Sequence, residues 1–303
     1  MRSVIVVTLV ALTVIAYAQD GGPTMLRVSS ETVLSTTGST RASFYPASCK
    51  LLTLGEKTHI TWLDAVSEIM AQTFDHATGT LLPAAHVGTG ADNHSGAAMC
   101  ADSAGYIYMV FGPHHGAFQF ARSARPNDSS EWETLPGFGT KATYPSLVCD
   151  AEDTLHICYR GGDTPCRLMY QRLPKGGEWS DPRELVSAGV PSGYTQFGNA
   201  LTVAPDGSLH LSYHIYDVHP KGGKSVGHML SRDGGDTWQL MDGTPLALPV
   251  TPDMGGFIEQ GPALNMRAGN VVCDAQSRPY FISIHLEVGG CGATLWRWRE
   301  SWE

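Results

Sequence analysis

What this 303-residue chain most conspicuously lacks is helical periodicity: past the N-terminus no long stretch repeats its apolar residues every three or four positions. Helical architectures therefore have little to build on. Positive charge is scarce as well, with 20 Lys and Arg against 29 Asp and Glu, a net charge of −9 and no basic patch. A nucleic-acid partner is not expected. The same balance gives a polyanion no long-range attraction, so an anionic substrate would need locally placed cations. Long apolar runs are absent except at the extreme N-terminus, where Arg2 precedes an uncharged stretch over 3–17 that ends in Ala16-Tyr17-Ala18. That stretch is short for a membrane span, and the small-x-small ending is that of a secretory cleavage site. Residues 1–18 are expected to be a signal peptide, leaving 19–303 as one secreted domain, monomeric and not membrane-bound.

Seven cysteines in an exported chain permit disulfides, but the odd number leaves at least one over. Cys100, Cys149 and Cys273 fall at matching places in strand-like segments, which favours small buried side chains over bridges.

What is present is a series of short apolar segments separated by Gly, Pro, Asp and Asn, the pattern of an all-β protein. Residues 65–74 could pass for a helix, but 68–74 reads better as a strand that enters the turn Ala77-Thr78-Gly79. A repeat organises the rest. HITWLDA at 59, YMVFGPH at 108, HICYRGG at 156, HLSYHIY at 210 and YFISIHL at 280 each follow a turn and an earlier apolar strand. Their spacings of 49, 48, 54 and 70 residues suit the blades of a β-propeller. Ser231-Arg232-Asp233-Gly234-Gly235-Asp236-Thr237-Trp238 adds an Asp box, a turn between outer strands, with weaker echoes ending at Trp132 and Trp179. Five blades are countable. The ending LWRWRESWE reads as an outer strand and turn without a sixth unit, so the alternatives are an incomplete propeller and a small five-bladed ring.

Propellers bring the start of each inner strand, and the connection after the second, to the central funnel. His94 and Tyr144 precede the first strands of the second and third units, and His114 and Arg160 follow their second strands. ADNHSGAAMCADSAGYIYMVFGPHHG and ATYPSLVCDAEDTLHICYRGG resemble the propeller-type ulvan lyases, secreted polysaccharide lyases within the BNR-repeat group, and the likeness runs from about Phe44 to Trp302. The order of His94, His114, Tyr144 and Arg160 matches that family's active-site set. The resemblance implies a seven-bladed propeller that degrades a uronate-containing, sulfated algal polysaccharide such as ulvan; the shorter chain departs from it. The rivals are a related lyase or glycosidase cleaving rhamnose-to-glucuronate linkages, and a non-catalytic carbohydrate-binding propeller. A sialidase is disfavoured, because no set of three arginines with an acidic residue and a tyrosine nucleophile is found.

The chemistry of such a lyase removes the C5 proton beside a uronate carboxylate and expels the C4 oxygen. Arg160 is the natural neutraliser of the carboxylate, being permanently charged and able to grip it with two parallel bonds. His94 and Tyr144 are the candidate base and acid, with the division left open; the resemblance implies that Tyr144 could serve as both. His114 is placed beside the carboxylate or the leaving oxygen. His115, Asn93, Tyr194 and Asn199 are the candidate substrate contacts, with Gln196 near the same rim, and Asp92 and Asn93 either orient His94 or form an Asx turn. His214 and His228, with Cys166, are the candidate metal ligands, His/Cys sets suiting zinc; Cys273 and His285 are rivals. The resemblance implies a structural zinc and no organic cofactor.

Overall fold

The computed structural model describes residues 5–7, 31–43, 45, 48–163, 166–188, 195–217, 225–261, 266–287 and 290–303. Of the expected signal peptide only Ile5–Val7 (β1) is among them, paired with Thr32–Ser35 (β2); the rest of 1–18 lies outside the described residues.

Five antiparallel blades follow, as the repeat predicts. The first is Leu51–Leu54 (β3), Lys57–Leu63 (β4) and Glu68–Asp75 (β5), with Thr80–Leu81 (β6) and Ala85–Thr89 (β7) on the outer side of β5. The segment 65–74 resolves as one 3-10 turn, Ala65–Ser67, running into β5, so the strand reading holds. The second blade is Ala98–Ala101 (β8), Ile107–Phe111 (β9), Gly116–Arg125 (β10) and the first part of Asp128–Cys149 (β11). β11 then becomes the inner strand of the third blade, continued by Leu155–Gly161 (β12), Arg167–Leu173 (β13) and Arg183–Ser187 (β14). The fourth is Thr195–Val203 (β15), Leu209–Asp217 (β16), Ser225–Ser231 (β17) and Glu259–Gln260 (β18). The fifth is Met266–Cys273 (β19), Pro279–Glu287 (β20) and Gly290–Arg297 (β21).

One side chain explains why the repeat is visible. Asp102, Asp150, Asp206 and Asp274 each sit after an inner strand and accept backbone N–H groups from the turn that follows, as in Asp150 Oδ1 with Glu152 N and Thr154 N at 3.0 and 2.8 Å. An aspartate that satisfies its own turn fixes the reversal locally. The His or Tyr opening the next strand then meets this carboxylate: His156 Nε2 lies 2.9 Å from Asp150, and Tyr108 and Tyr280 donate to Asp102 and Asp274. The Asp box works the same way between outer strands. Asp233 accepts from Thr237 N at 2.8 Å, while Trp238 is buried and donates Nε1 to Gly235 O.

Packing seals neighbouring blades. Leu63 and Ile69 meet Met99 and Met109; Phe118 and Phe138 meet Leu147 and Tyr159; Leu168 and Tyr170 meet Leu211 and Trp238; Val226 meets Met266 and Phe281. Each contact buries large apolar surface at roughly 25 cal/mol per Å². Among the described residues no such cluster joins the fifth blade to the first, and Val272 and Leu295 of the fifth stand 57% and 61% exposed. The inner strands of all five blades enclose one central cavity of about 600 Å³, lined by Leu51, Met99, Leu147, Leu201 and Val271 among others. Cys49, Cys100, Cys149, Cys158 and Cys273 are thiols rather than disulfides.

Candidate active site

At one end of this cavity the second and third blades meet. β11 carries Tyr144 at the point where it changes from outer to inner strand, and its pairing with β12 slips between Thr143 and Ser146. Tyr144 takes φ +60°, and His115, in the loop after β9, takes φ +64°. Left-handed backbone at side-chain-bearing residues costs roughly 1–3 kcal/mol each and persists where surrounding structure imposes it. The loop carrying His114 and His115 begins at Gly112, whose φ of +105° and whose closeness to Gln119 exclude a side chain there. Gly112 O accepts from Ala91 N and Ser95 Oγ, tying this loop to the one that carries His94.

The four residues expected to carry chemistry come together. The His94 and His114 rings stack with centroids 4.0 Å apart, and His94 lies 6.1 Å from the Tyr144 ring. Arg160, fully buried, sits beneath Tyr144 with its guanidinium carbon 4.5 Å from the ring centroid. A permanent cation in that position stabilises negative charge on the phenol. Arg160 Nη2 donates to His115 Nε2 at 3.0 Å, so His115 orients the arginine as well as flanking His114, 4.9 Å away. Burial, then Arg160, holds the His115 pKa below its ordinary value, which keeps it the neutral acceptor that this bond requires. Burial likewise lowers the His94 pKa, against a raising effect of its bond to Asp92. A neutral imidazole at pH 7 is available as a base.

Sequence reasoning missed Tyr45 and Arg41. The Tyr45 ring lies 4.1 Å from Tyr144 and 6.4 Å from His94, and Arg41 Nη1 donates to its hydroxyl at 2.6 Å. Ser48 Oγ, which donates to Pro145 O, pins this segment beside Tyr144. Nothing in the blade repeat marks these residues, because they precede the first blade.

The remaining expected contacts divide. Asn199 is buried and donates Nδ2 to Tyr144 O at 3.5 Å, supporting the strained backbone from the fourth blade. Asn93 donates to Thr40 Oγ1 at 3.1 Å at the rim. Tyr194 and the side chain of Gln196 lie outside the described residues.

The expected zinc ligands do not assemble. His228 faces Ser212 across the β16–β17 ladder, whereas His214 faces Val226, so the pair is offset by two residues. His228 Nε2 lies 3.1 Å from His210 Nδ1 instead, and His214 Nδ1 accepts from Ala268 N at 3.1 Å. Cys166 packs among Leu168, Leu185 and Ile215. Among the described residues, the one set of three potential ligand atoms within 4.8 Å of each other is Asp92, His94 and His114, whose ring Nδ1 atoms are engaged by the carboxylate. The donor set His214, His228 and Cys166 therefore does not fit a zinc ion in this arrangement.

Comparison with known proteins agrees with this architecture. Residues 57–303 match the model of a family described as BNR repeat-containing family member. An ulvan lyase of family PL25 from Pseudoalteromonas sp. (strain PLSV) is 26% identical over 231 residues, covering 62% of this chain and 45% of the relative. An ulvan lyase from Nonlabens ulvanivorans is 29% identical over 197 residues, covering 54% and 41%. The chain thus spans less than half the length of the curated relatives it matches. A solved PL25 ulvan lyase, bound to a glucuronate-(1-4)-rhamnose-3-sulfate segment, superposes with a TM-score of 0.77 at 18% identity, covering 88% of this chain and 72% of that one. The shared fold is a propeller.

Proposed function

This chain belongs to the BNR repeat-containing family, and we propose that it is a polysaccharide lyase cleaving a uronate-containing, ulvan-like polymer by β-elimination. The observation that carries the reading is the convergence, across two blades, of a buried arginine, a tyrosine stacked on it and a pair of stacked histidines. The names of the relatives support the substrate class: they are ulvan lyases, and one is bound to a glucuronate–rhamnose sulfate segment.

The reaction asks for three services. A cation must neutralise the uronate carboxylate so that the C5 proton becomes acidic, and Arg160 at the floor of the site supplies it. A base must take that proton; His94 and Tyr144 both border the same space. As the C5–H electron pair forms the C4=C5 double bond, the C4–O bond breaks and its oxygen needs a proton, which the tyrosine hydroxyl can donate. The products are one chain ending in a 4,5-unsaturated uronate and one with a new hydroxyl. No step passes through a metal or an organic cofactor.

Export also belongs to the proposal, resting on the apolar run over 3–17 and Ala16-Tyr17-Ala18; no helix among the described residues is long and apolar enough to cross a membrane. The test is incubation of the protein with ulvan, followed by the ultraviolet absorbance of the conjugated product. A rise that disappears in Tyr144→Phe supports the lyase reading. Binding of ulvan without unsaturated product would replace it with a carbohydrate-binding propeller, and saturated products would point to a glycosidase.

A further inference from the structure

Asp92 stands at the centre of the histidine pair. Its Oδ1 accepts from the backbone N–H of His94 at 2.7 Å and faces His94 Nδ1 at 3.0 Å; its Oδ2 faces His114 Nδ1 at 2.7 Å. One carboxylate thus meets two stacked rings, each through a different oxygen, and closes its own Asx turn with the first. We infer that Asp92 is the positioning residue of the site, fixing both His94 and His114 as Nδ1–H tautomers and so presenting the bare Nε2 of each to substrate.

The argument rests on donor and acceptor counting. An ionised carboxylate has no proton to give, so any ring nitrogen hydrogen-bonded to it must be the donor. Burial raises the Asp92 pKa, but the bonds from the His94 N–H and from the His114 and His94 rings outweigh it and hold the group at about 2, ionised at any working pH. A neutral imidazole with its hydrogen on Nδ1 has its lone pair on Nε2. The arrangement also limits charge. If one ring is protonated on Nε2, Asp92 balances it; for a second cation stacked 4.0 Å away, no further carboxylate is grouped with the pair among the described residues. The groups facing the pair are Arg41 and Tyr45 from the segment before the first blade, Tyr144 and Arg160 from the third, and His115 beside His114. None of these is an anion at neutral pH, and Asp92 raises the basicity of His94 against them.

This inference rests on the lyase reading for its consequence in catalysis, but not for its geometry, and Asp92→Asn separates the two. Asparagine keeps the turn, because its oxygen can still accept from the His94 N–H and His94 Nδ1–H; its amide then faces His114 Nδ1 as a donor. Nitrogen-15 spectra of the histidine rings should show both His94 and His114 as Nδ1–H in the native protein, with His114 alone converted to Nε2–H in the variant. On ulvan, the variant should lose about 10²-fold or more in kcat/KM, by analogy with the wrong-tautomer effect of an Asp-to-Asn change in a catalytic triad, and its acid limb should move to lower pH. Either ring found as Nε2–H in the native protein, His114 unchanged in the variant, or undiminished kcat/KM would overturn the assignment. If the native protein itself gives no unsaturated product, the lyase reading falls while the spectra still decide the role of Asp92.

Discussion

Two groups of histidines in this protein use one residue type in opposite ways. His94 and His114 lie on loops, partly open to solvent and paired with a carboxylate that is itself 42% exposed. His210, His214 and His228 lie within strands of the fourth blade and are buried. Their partners include one another for His210 and His228, Ser208 for His210 and the backbone N–H of Ala268 for His214. The first group has a counterion and access to solvent. The second is closed off from solvent, and burial holds His210 at about 4, His214 at about 3 and His228 well below the ordinary value. Location in the blade, rather than residue identity, decides which histidine can move a proton.

The sharpest way to break this comparison is to remove chemistry from the first group and find it unnecessary. Tyr144→Phe and His94→Ala should each reduce kcat/KM on ulvan by about 10²- to 10⁴-fold, the range of general acid–base contributions, with thermal unfolding close to that of the native protein. His210→Phe should do the reverse, lowering stability by about 1–3 kcal/mol through the orphaned His228 nitrogen while leaving the rate per folded molecule near native. Loss of activity in His210→Phe beyond its loss of folded protein would show that the fourth blade reaches into the chemistry.

The architecture was legible in the sequence because most blades repeat a local device. In four of the five an aspartate closes the turn after the inner strand, in three of these the His or Tyr that follows bonds to it, and alternation marks the strands on either side. The meeting of four residues was legible for the same reason, since His94 and Tyr144, and His114 and Arg160, hold equivalent places in successive blades and come together in the structure. What the repeat could not show was any partner outside it. Tyr45 and Arg41 reach the site through the path of the chain before the first blade, fastened by a bond from Ser48 to a backbone carbonyl nearly a hundred residues on. Strand register was not legible, and it is what separates His214 from His228. His210, Ser212 and His214 share one face of β16 by simple alternation, and the partner of His228 is chosen by which of them the ladder brings near.

A smaller effect follows from pH. The three histidines of the fourth blade have folded pKa values below the ordinary value of about 6.5, so the unfolded chain takes up protons more readily than the folded one. Their contribution to stability is complete above about pH 6.5 and is lost as the pH falls toward 4. At pH 4.5 the unfolded chain is protonated at these positions while the folded chain resists it, so each weighs against folding. Unfolding followed by tryptophan fluorescence should therefore sharpen between pH 6 and 4. Activity on ulvan should decline over a separate limb, reversible on return to pH 7, as the first group takes up protons while the protein remains folded. If activity and fluorescence fall along one curve, the two groups are not distinct in titration.

The smallest expected effect tests where the first group ends. Arg160 and Arg41 both stand within the aromatic cluster, but Arg160 is enclosed at its floor, whereas Arg41 is only half-buried at its rim and bound to the Tyr45 hydroxyl. A cation at the floor can act on the carboxylate whose charge changes during the reaction, and its removal should appear in kcat. One at the rim, partly screened by solvent, can only help hold an anionic polymer. Arg41→Ala should raise KM by about 2- to 5-fold, the equivalent of a partly screened charge contact, with kcat nearly unchanged and with the difference fading as salt is added. Tyr45→Phe, which keeps the ring against Tyr144 and removes only the bond to Arg41, should produce the same change or less. Should Arg41→Ala depress kcat as strongly as Arg160→Ala, the rim and the floor form a single electrostatic site, and the segment before the first blade belongs to the catalytic machinery itself.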